Sequence, residues 1–442
     1  MWSHVGVGVA FAELRATMSL RAHALTLVLF SSVAATACST NASIDDAAAD
    51  GDEAITSNDA QIVDFTFSSE VLAPKSDDSR KAVISQLFYT VGALTSEHEA
   101  NGQIGRVQTS AITETVEGDN KRIKYTVRLP VAWPAGKSVP KTYAIVLPND
   151  TTKLSAFNDK YDGKCGTNEY GHDVFWHDWN PIATGCTVDA ADVVKSTAKV
   201  TKNKAVTTGK YPEYDKVWAD GALNVVAIFG YSDSGGASDQ GEQEYDAFVS
   251  RAKALFPGAT STTNATSDSI HRDITVKAKV RVDGADRDVS ITSLLIGTLY
   301  TSGPDFDTRY DPLSEKADLV VYNGHSELSK NTNALAAKGK VAPKQYQMFF
   351  FDSCDTYAYL DTALTDRRRA INGAEDPVGT KYLDVATNVL PSYFSNYAAS
   401  SLTFVSALAN RDAPKTYNQI MSDLPSDQVV VVTGEEDNTF HP

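Results

Sequence analysis

Two short apolar runs constrain this chain more than any other feature. Residues 317–322, Ala-Asp-Leu-Val-Val-Tyr, lead into Asn323, Gly324, His325 and Ser326. Residues 346–351, Tyr-Gln-Met-Phe-Phe-Phe, lead into Asp352, Ser353, Cys354 and Asp355. Apolar runs this short, closed by glycine and polar residues, read as buried parallel strands. Open α/β sheets place their reactive groups just past the carboxyl ends of the strands. If the two strands are neighbours, His325 and Cys354 enter one crevice. An imidazole beside a thiol suits a cysteine nucleophile, because the thiolate is the reactive form.

An apolar strand ending at a His, followed by one ending near a Cys, resembles the pattern of the caspase-like cysteine peptidases. That group holds caspases, legumains and gingipains. The pair is 29 positions apart (354 − 325), which is similar to the gingipain spacing. The resemblance covers about residues 223–442. It implies a caspase-like, mostly parallel sheet with helices on both faces, and hydrolysis of a protein or peptide substrate without a cofactor. Cys354 is then the nucleophile and His325 the acid–base group, with the N–H groups of Ser326 and Cys354 holding the oxyanion. Ser326 stands where the family usually has Gly, and it still supplies its N–H. Some members orient the His with a carboxylate from the end of the first strand, the place Asp233 holds here.

Two other readings stay open. Gly230-Tyr231-Ser232-Asp233-Ser234 nearly matches the G-x-S-x-G elbow, so Ser232 is the candidate nucleophile of a serine hydrolase. Its triad His comes from His271, His325 or His441. The third reading is a catalytically degenerate caspase-like scaffold that acts as a binding module. The acidic loop 232–242 is a candidate calcium binder without the EF-hand spacing.

The module that carries these residues, 215–442, alternates strands with helices, the pattern of a covered parallel sheet. Strands are expected at 223–229, 317–322, 346–351, 382–386 and 429–432. A hairpin is expected over 274–299, and helices at 243–256, 357–369 and 396–410. Ahead of it, 61–204 reads as a small α+β domain. It has strands at 62–67, 142–147 and 191–200, a hairpin around Gly118-Asp119-Asn120, and helices at 79–94 and 151–161. That order suggests a ferredoxin-like sandwich with an insertion. The insertion holds Phe175, Trp176 and Trp179, either a small satellite core or a sugar- or peptide-binding surface.

The start reads as an export leader over 1–37, with Met18 a better start than Met1. Arg21 precedes an apolar stretch too short to span a membrane, and small residues follow. Ala35-Thr36-Ala37-Cys38 resembles a lipobox, so Cys38 is the candidate lipidation site; the same letters also fit plain secretion. Residues 38–60 then form an acidic tether too poor in apolar side chains to fold alone. The expected location is the outer membrane or cell surface as a lipoprotein, otherwise secreted or periplasmic. In such a compartment Cys165 and Cys186 read as a disulfide. Zinc is the alternative, with His172 and His177 between them, though C-x6-H-x4-H-x8-C matches no common module.

Charge excludes one partner class. The net charge of −16 leaves too few clustered cations for a nucleic-acid surface. The one basic cluster, Arg367-Arg368-Arg369, reads as a solvated helix end.

Overall fold

Alternating apolar residues build two sheets, which a computed structural model describes over residues 55–204 and 208–442. The leader at 1–37, Cys38 and the tether up to residue 54 lie outside the described residues. The described residues belong to one compact unit of mixed α/β structure.

The chain enters through β1 (Ile55–Ser57), inside the stretch read as tether. The first sheet follows: β2 (Ala60–Pro74), α1 (Ser79–Leu87), α2 (Tyr89–His98), β3 (Asn101–Gly102), β4 (Gln108–Glu117), β5 (Asn120–Pro134), β6 (Thr142–Pro148), α3 (Leu154–Tyr161) and β7 (Val193–Lys202). Its strand order is β3-β5-β2-β7-β6, with β4 also on β5, and every strand pair is antiparallel. Val63, Phe65, Phe67 and Val71 alternate along β2 toward one face. There they join Val83, Leu87, Val91 and Leu94 of the helices in a single core. Phe175 and Trp179 are buried in the same core, so the aromatic insertion is packing.

Cys165 and Cys186 are joined by a disulfide, which leaves neither thiolate for zinc. Replacing both by Ser should cost about 3 kcal/mol through the freed loop, measured as the shift in urea denaturation.

The second sheet is built from α4 (Tyr214–Val217), β8 (Ala222–Gly230), α5 (Gln240–Leu255), β9 (Thr260–Thr263), β10 (Arg272–Val282), β11 (Ala285–Ile296), α6 (Pro304–Ser314), β12 (Leu319–Asn323), α7 (Lys330–Ala337), β13 (Gln347–Asp352), α8 (Thr356–Tyr359), α9 (Ala363–Asn372), β14 (Leu383–Asn388), α10 (Tyr397–Ala409), α11 (Tyr417–Ser422) and β15 (Val430–Thr433). The order is β1-β15-β14-β13-β12-β8-β11-β10-β9. The five central strands, β14 to β11, are mutually parallel.

Both flanks run antiparallel, so the sheet is mixed rather than mostly parallel. The reasons are local. A tight turn at Asp283-Gly284 folds β10 onto β11, and two successive helices, α10 and α11, return the chain to β15 from the opposite end. Strand alternation explains the two covered faces. Val225, Ala227, Val321 and Phe350 pack with α5 and α10. Val226, Ile228, Val320 and Phe351 pack with α6, α7 and α9.

One expectation about charge is overturned. Arg368 is fully buried, with its guanidinium bonded to Gln347 Oε1 at 2.6 Å and lying over the Phe349 ring. Arg367 caps the carbonyls of Lys338 and Gly339 after α7. Burial lowers the Arg368 guanidinium to about 9. Charge counting alone does not register that α9 turns this residue toward the sheet.

Candidate active site

The register of the parallel strands sets the level of each candidate group. Asn323 of β12 stands opposite Asp352 of β13 and Phe229 of β8. His325 and Cys354 therefore each sit two residues past the last pair, on adjoining strands. Gly324 allows the close exit from β12, since a Cβ there would lie 2.9 Å from the Tyr322 hydroxyl. The Ser353 hydroxyl donates to Gly324 O at 2.5 Å and the Tyr397 hydroxyl to the same oxygen at 3.1 Å. His325 O accepts from Tyr322 Oη at 2.8 Å and from Asn331 Nδ2 at 2.9 Å. Each such bond is worth about 1 kcal/mol net, enough together to fix the backbone on which the imidazole rides.

The imidazole of His325 is exposed, and its Nε2 lies 2.9 Å from Ser232 O. A carbonyl only accepts, so Nε2 carries a proton, and in the neutral ring Nδ1 holds the lone pair. Nδ1 has no hydrogen-bond partner among the described residues. Phe394 packs edge-on against the ring at 4.9 Å. The orienting group is thus the Ser232 carbonyl. Asp233, expected in that role, is exposed, and its carboxylate bonds nothing among the described residues. Only its N–H is engaged, donating to Asp239 Oδ2 at 2.9 Å.

Asp239 is the residue that sequence reasoning missed here. Buried at the N-cap of α5, it accepts the N–H groups of Ser232, Asp233, Gly235 and Glu242. Burial alone would raise its carboxyl, but these four donors outweigh it and hold the group below its ordinary range. Glu242 likewise accepts Gly236 N–H. Two of the three carboxylates of the candidate calcium loop, Asp239 and Glu242, are therefore spent on the loop's own backbone, which leaves only Asp233. Asp239→Ala should cost about 2 kcal/mol, read as a lower Tm at pH 7. A group lowered in this way stabilises above its unfolded pKa, and that share fades as acid protonates it. The wild-type and variant Tm values should converge below about pH 4.

Cys354 is half-buried, its thiol donating to Ser392 O at 3.6 Å. Burial, then the charge of Asp355, pushes the thiol up to about 11. The helix that follows, α8, has only four residues, and Asp355 precedes it in a left-handed conformation, φ 55°, so no long helix N-terminus faces the thiol. No hydrogen bond joins the thiol to His325. The same loop, 389–396, covers both groups, with Ser392 on Cys354 and Phe394 on His325. Among the described residues the backbone N–H of Ser326 has no acceptor, and that of Cys354 meets its own thiol.

Asp352 anchors that loop. Fully buried, its Oδ1 accepts from Ser392 Oγ at 2.6 Å, Asn388 Nδ2 at 2.8 Å and Gln428 Nε2 at 2.9 Å. Its Oδ2 is buried and unpartnered among the described residues, and burial pushes the carboxyl up to about 6.

No family model matches this chain, and no curated protein matches it. Ser232 Oγ accepts the N–H of Gln240 at 3.0 Å, and no imidazole bonds it. His271 stacks on Tyr231 at 5.0 Å, and His441 lies against Tyr211 at 6.4 Å. Past β12 and β13 the chain thus sets, at one strand level, an imidazole held through Nε2, a protonated thiol and the backbone N–H of Ser326.

Proposed function

We propose that this protein is an exported cysteine endopeptidase whose second sheet is of the caspase-like kind. The observation that carries the reading is the shared level of His325 and Cys354 on adjoining parallel strands under one covering loop. On this reading His325 Nδ1 takes the thiol proton as Cys354 Sγ attacks the peptide carbonyl. The N–H groups of Ser326 and Cys354 hold the oxyanion. The imidazolium then protonates the departing amine, and water, deprotonated by the same ring, frees the acyl-enzyme. The substrate is a protein or peptide chain. The leader over 1–37 and a lipid on Cys38 would place the enzyme at a membrane surface, as a lipoprotein. The first sheet, by its β4-β5-β2-β7 order, fits a ferredoxin-like module with β6 added.

One observation favours a second reading, the degenerate binding scaffold: the thiol is protonated and bonds Ser392 instead of His325. A peptide-library digest by the full chain separates the two. Cleavage that disappears in Cys354→Ala and in His325→Ala supports the peptidase, whereas tight peptide binding without cleavage supports the scaffold. Cleavage lost only in Ser232→Ala would leave the serine enzyme standing.

A further inference from the structure

The first sheet module reaches into the crevice at one point, the residue that follows Cys354. Asp355 is buried, and a left-handed φ in a non-glycine residue costs about 1 kcal/mol, so something must hold it there. Two side chains of the first module do so. Asn101 Nδ2 donates to Asp355 Oδ1 at 3.2 Å, and His177 Nε2 lies 3.6 Å from Oδ2. Asn101, itself fully buried, also donates to Val389 O at 3.1 Å, at the start of the loop whose Ser392 receives the thiol. His177 belongs to the 3-10 turn His172–His177, inside the loop that the Cys165–Cys186 disulfide closes.

We propose that His177 is a positioning residue for Cys354, acting through Asp355, and that the disulfide-closed loop is the arm that delivers it. This rests on the peptidase reading for its purpose, though not for its measurement. The groups facing the His177 ring are Asp178 at 3.0 Å and Tyr170 at 5.0 Å from its own loop, and Asp355 from the turn after β13. Burial opposes charge on the ring, but the two carboxylates overcome it and raise the imidazole to about 9. At neutral pH a cation therefore sits against Asp355. It balances the carboxylate that otherwise opposes ionisation of the neighbouring thiol.

The test is the pH profile of Cys354 alkylation by iodoacetamide in the full chain, followed by peptide mass. His177→Gln keeps a hydrogen-bond donor and loses the charge. It should slow the reaction roughly tenfold at fixed pH between about 6 and 8, where the His177 ring is charged, and the two profiles should converge above about pH 9. His177→Lys should restore it. Asp355→Asn, which removes the opposing charge, should move the profile down, and it decides the matter if His177→Gln does not fold. Coincident profiles for wild type and His177→Gln, or for wild type and Asp355→Asn, would overturn the proposal. Alkylation needs no substrate, so failure to cleave any peptide would count against the peptidase and leave this coupling measured.

Discussion

Iodoacetamide should modify Cys354 in the folded protein at least tenfold more slowly than an unhindered thiol at pH 7.5. With the thiol raised to about 11, the thiolate fraction falls about 100-fold relative to an ordinary cysteine. A more basic thiolate is intrinsically more nucleophilic, which recovers about tenfold. Half-burial then slows access further. The rate should keep climbing through pH 10 without a plateau. Unfolding in urea should abolish the difference, and peptide mass should place the label on residue 354. A plateau near pH 7 would mean that the thiol is already ionised, and the resting geometry described here would be wrong. The slow reaction is compatible with catalysis, because the thiol needs to ionise only when His325 Nδ1 takes its proton during attack.

The second large effect belongs to Asp352. Truncation to Ala leaves Asn388, Ser392 and Gln428 with buried donors and no acceptor, at about 1 kcal/mol or more apiece. Asp352→Ala should therefore lose about 3 kcal/mol or more of stability, and with it the covering loop. Asp352→Asn keeps the acceptor and should behave differently with pH. The wild-type carboxyl is raised in the folded state, to about 6 against about 3.9 unfolded. Its favourable contribution is complete below about pH 4 and is lost as pH rises through 6. The amide does not titrate, so relative to wild type Asp352→Asn should improve between pH 4 and pH 7, by up to about 3 kcal/mol. Urea unfolding at the two pH values measures it. A pH-independent difference would show that residue 352 does not titrate in this range.

Local pattern explains which parts of this arrangement are readable in the sequence. The apolar runs before Asn323 and Asp352 announce strands, and their polar ends announce the level of His325 and Cys354. Asp78 ahead of α1 and Gly118-Asp119 between β4 and β5 are local chemistry: Asp78 caps the helix, and the two-residue turn closes the hairpin where it is expected. Partners hundreds of residues away leave no such trace. Asn101 meets Asp355 across 254 positions, and nothing near residue 101 marks it as a contact to the crevice. Asp239 reads as an ordinary helix cap, yet it also fixes the carbonyl that orients His325. Asp233 holds the place at the end of the first strand, but that place does not determine which group of a loop faces inward. Direction in the sheet is equally non-local, since β15 runs antiparallel only because two helices precede it.

The most direct test of the central claim is a double-mutant cycle on peptide cleavage by the full chain. Groups that act as one unit are strongly non-additive. His325→Ala and Cys354→Ala should each lower kcat/KM by about 1,000-fold or more, and the double variant should be no worse than Cys354→Ala alone. Additive losses, or full activity in Cys354→Ala, would mean that imidazole and thiol do not work together, and the account would fail.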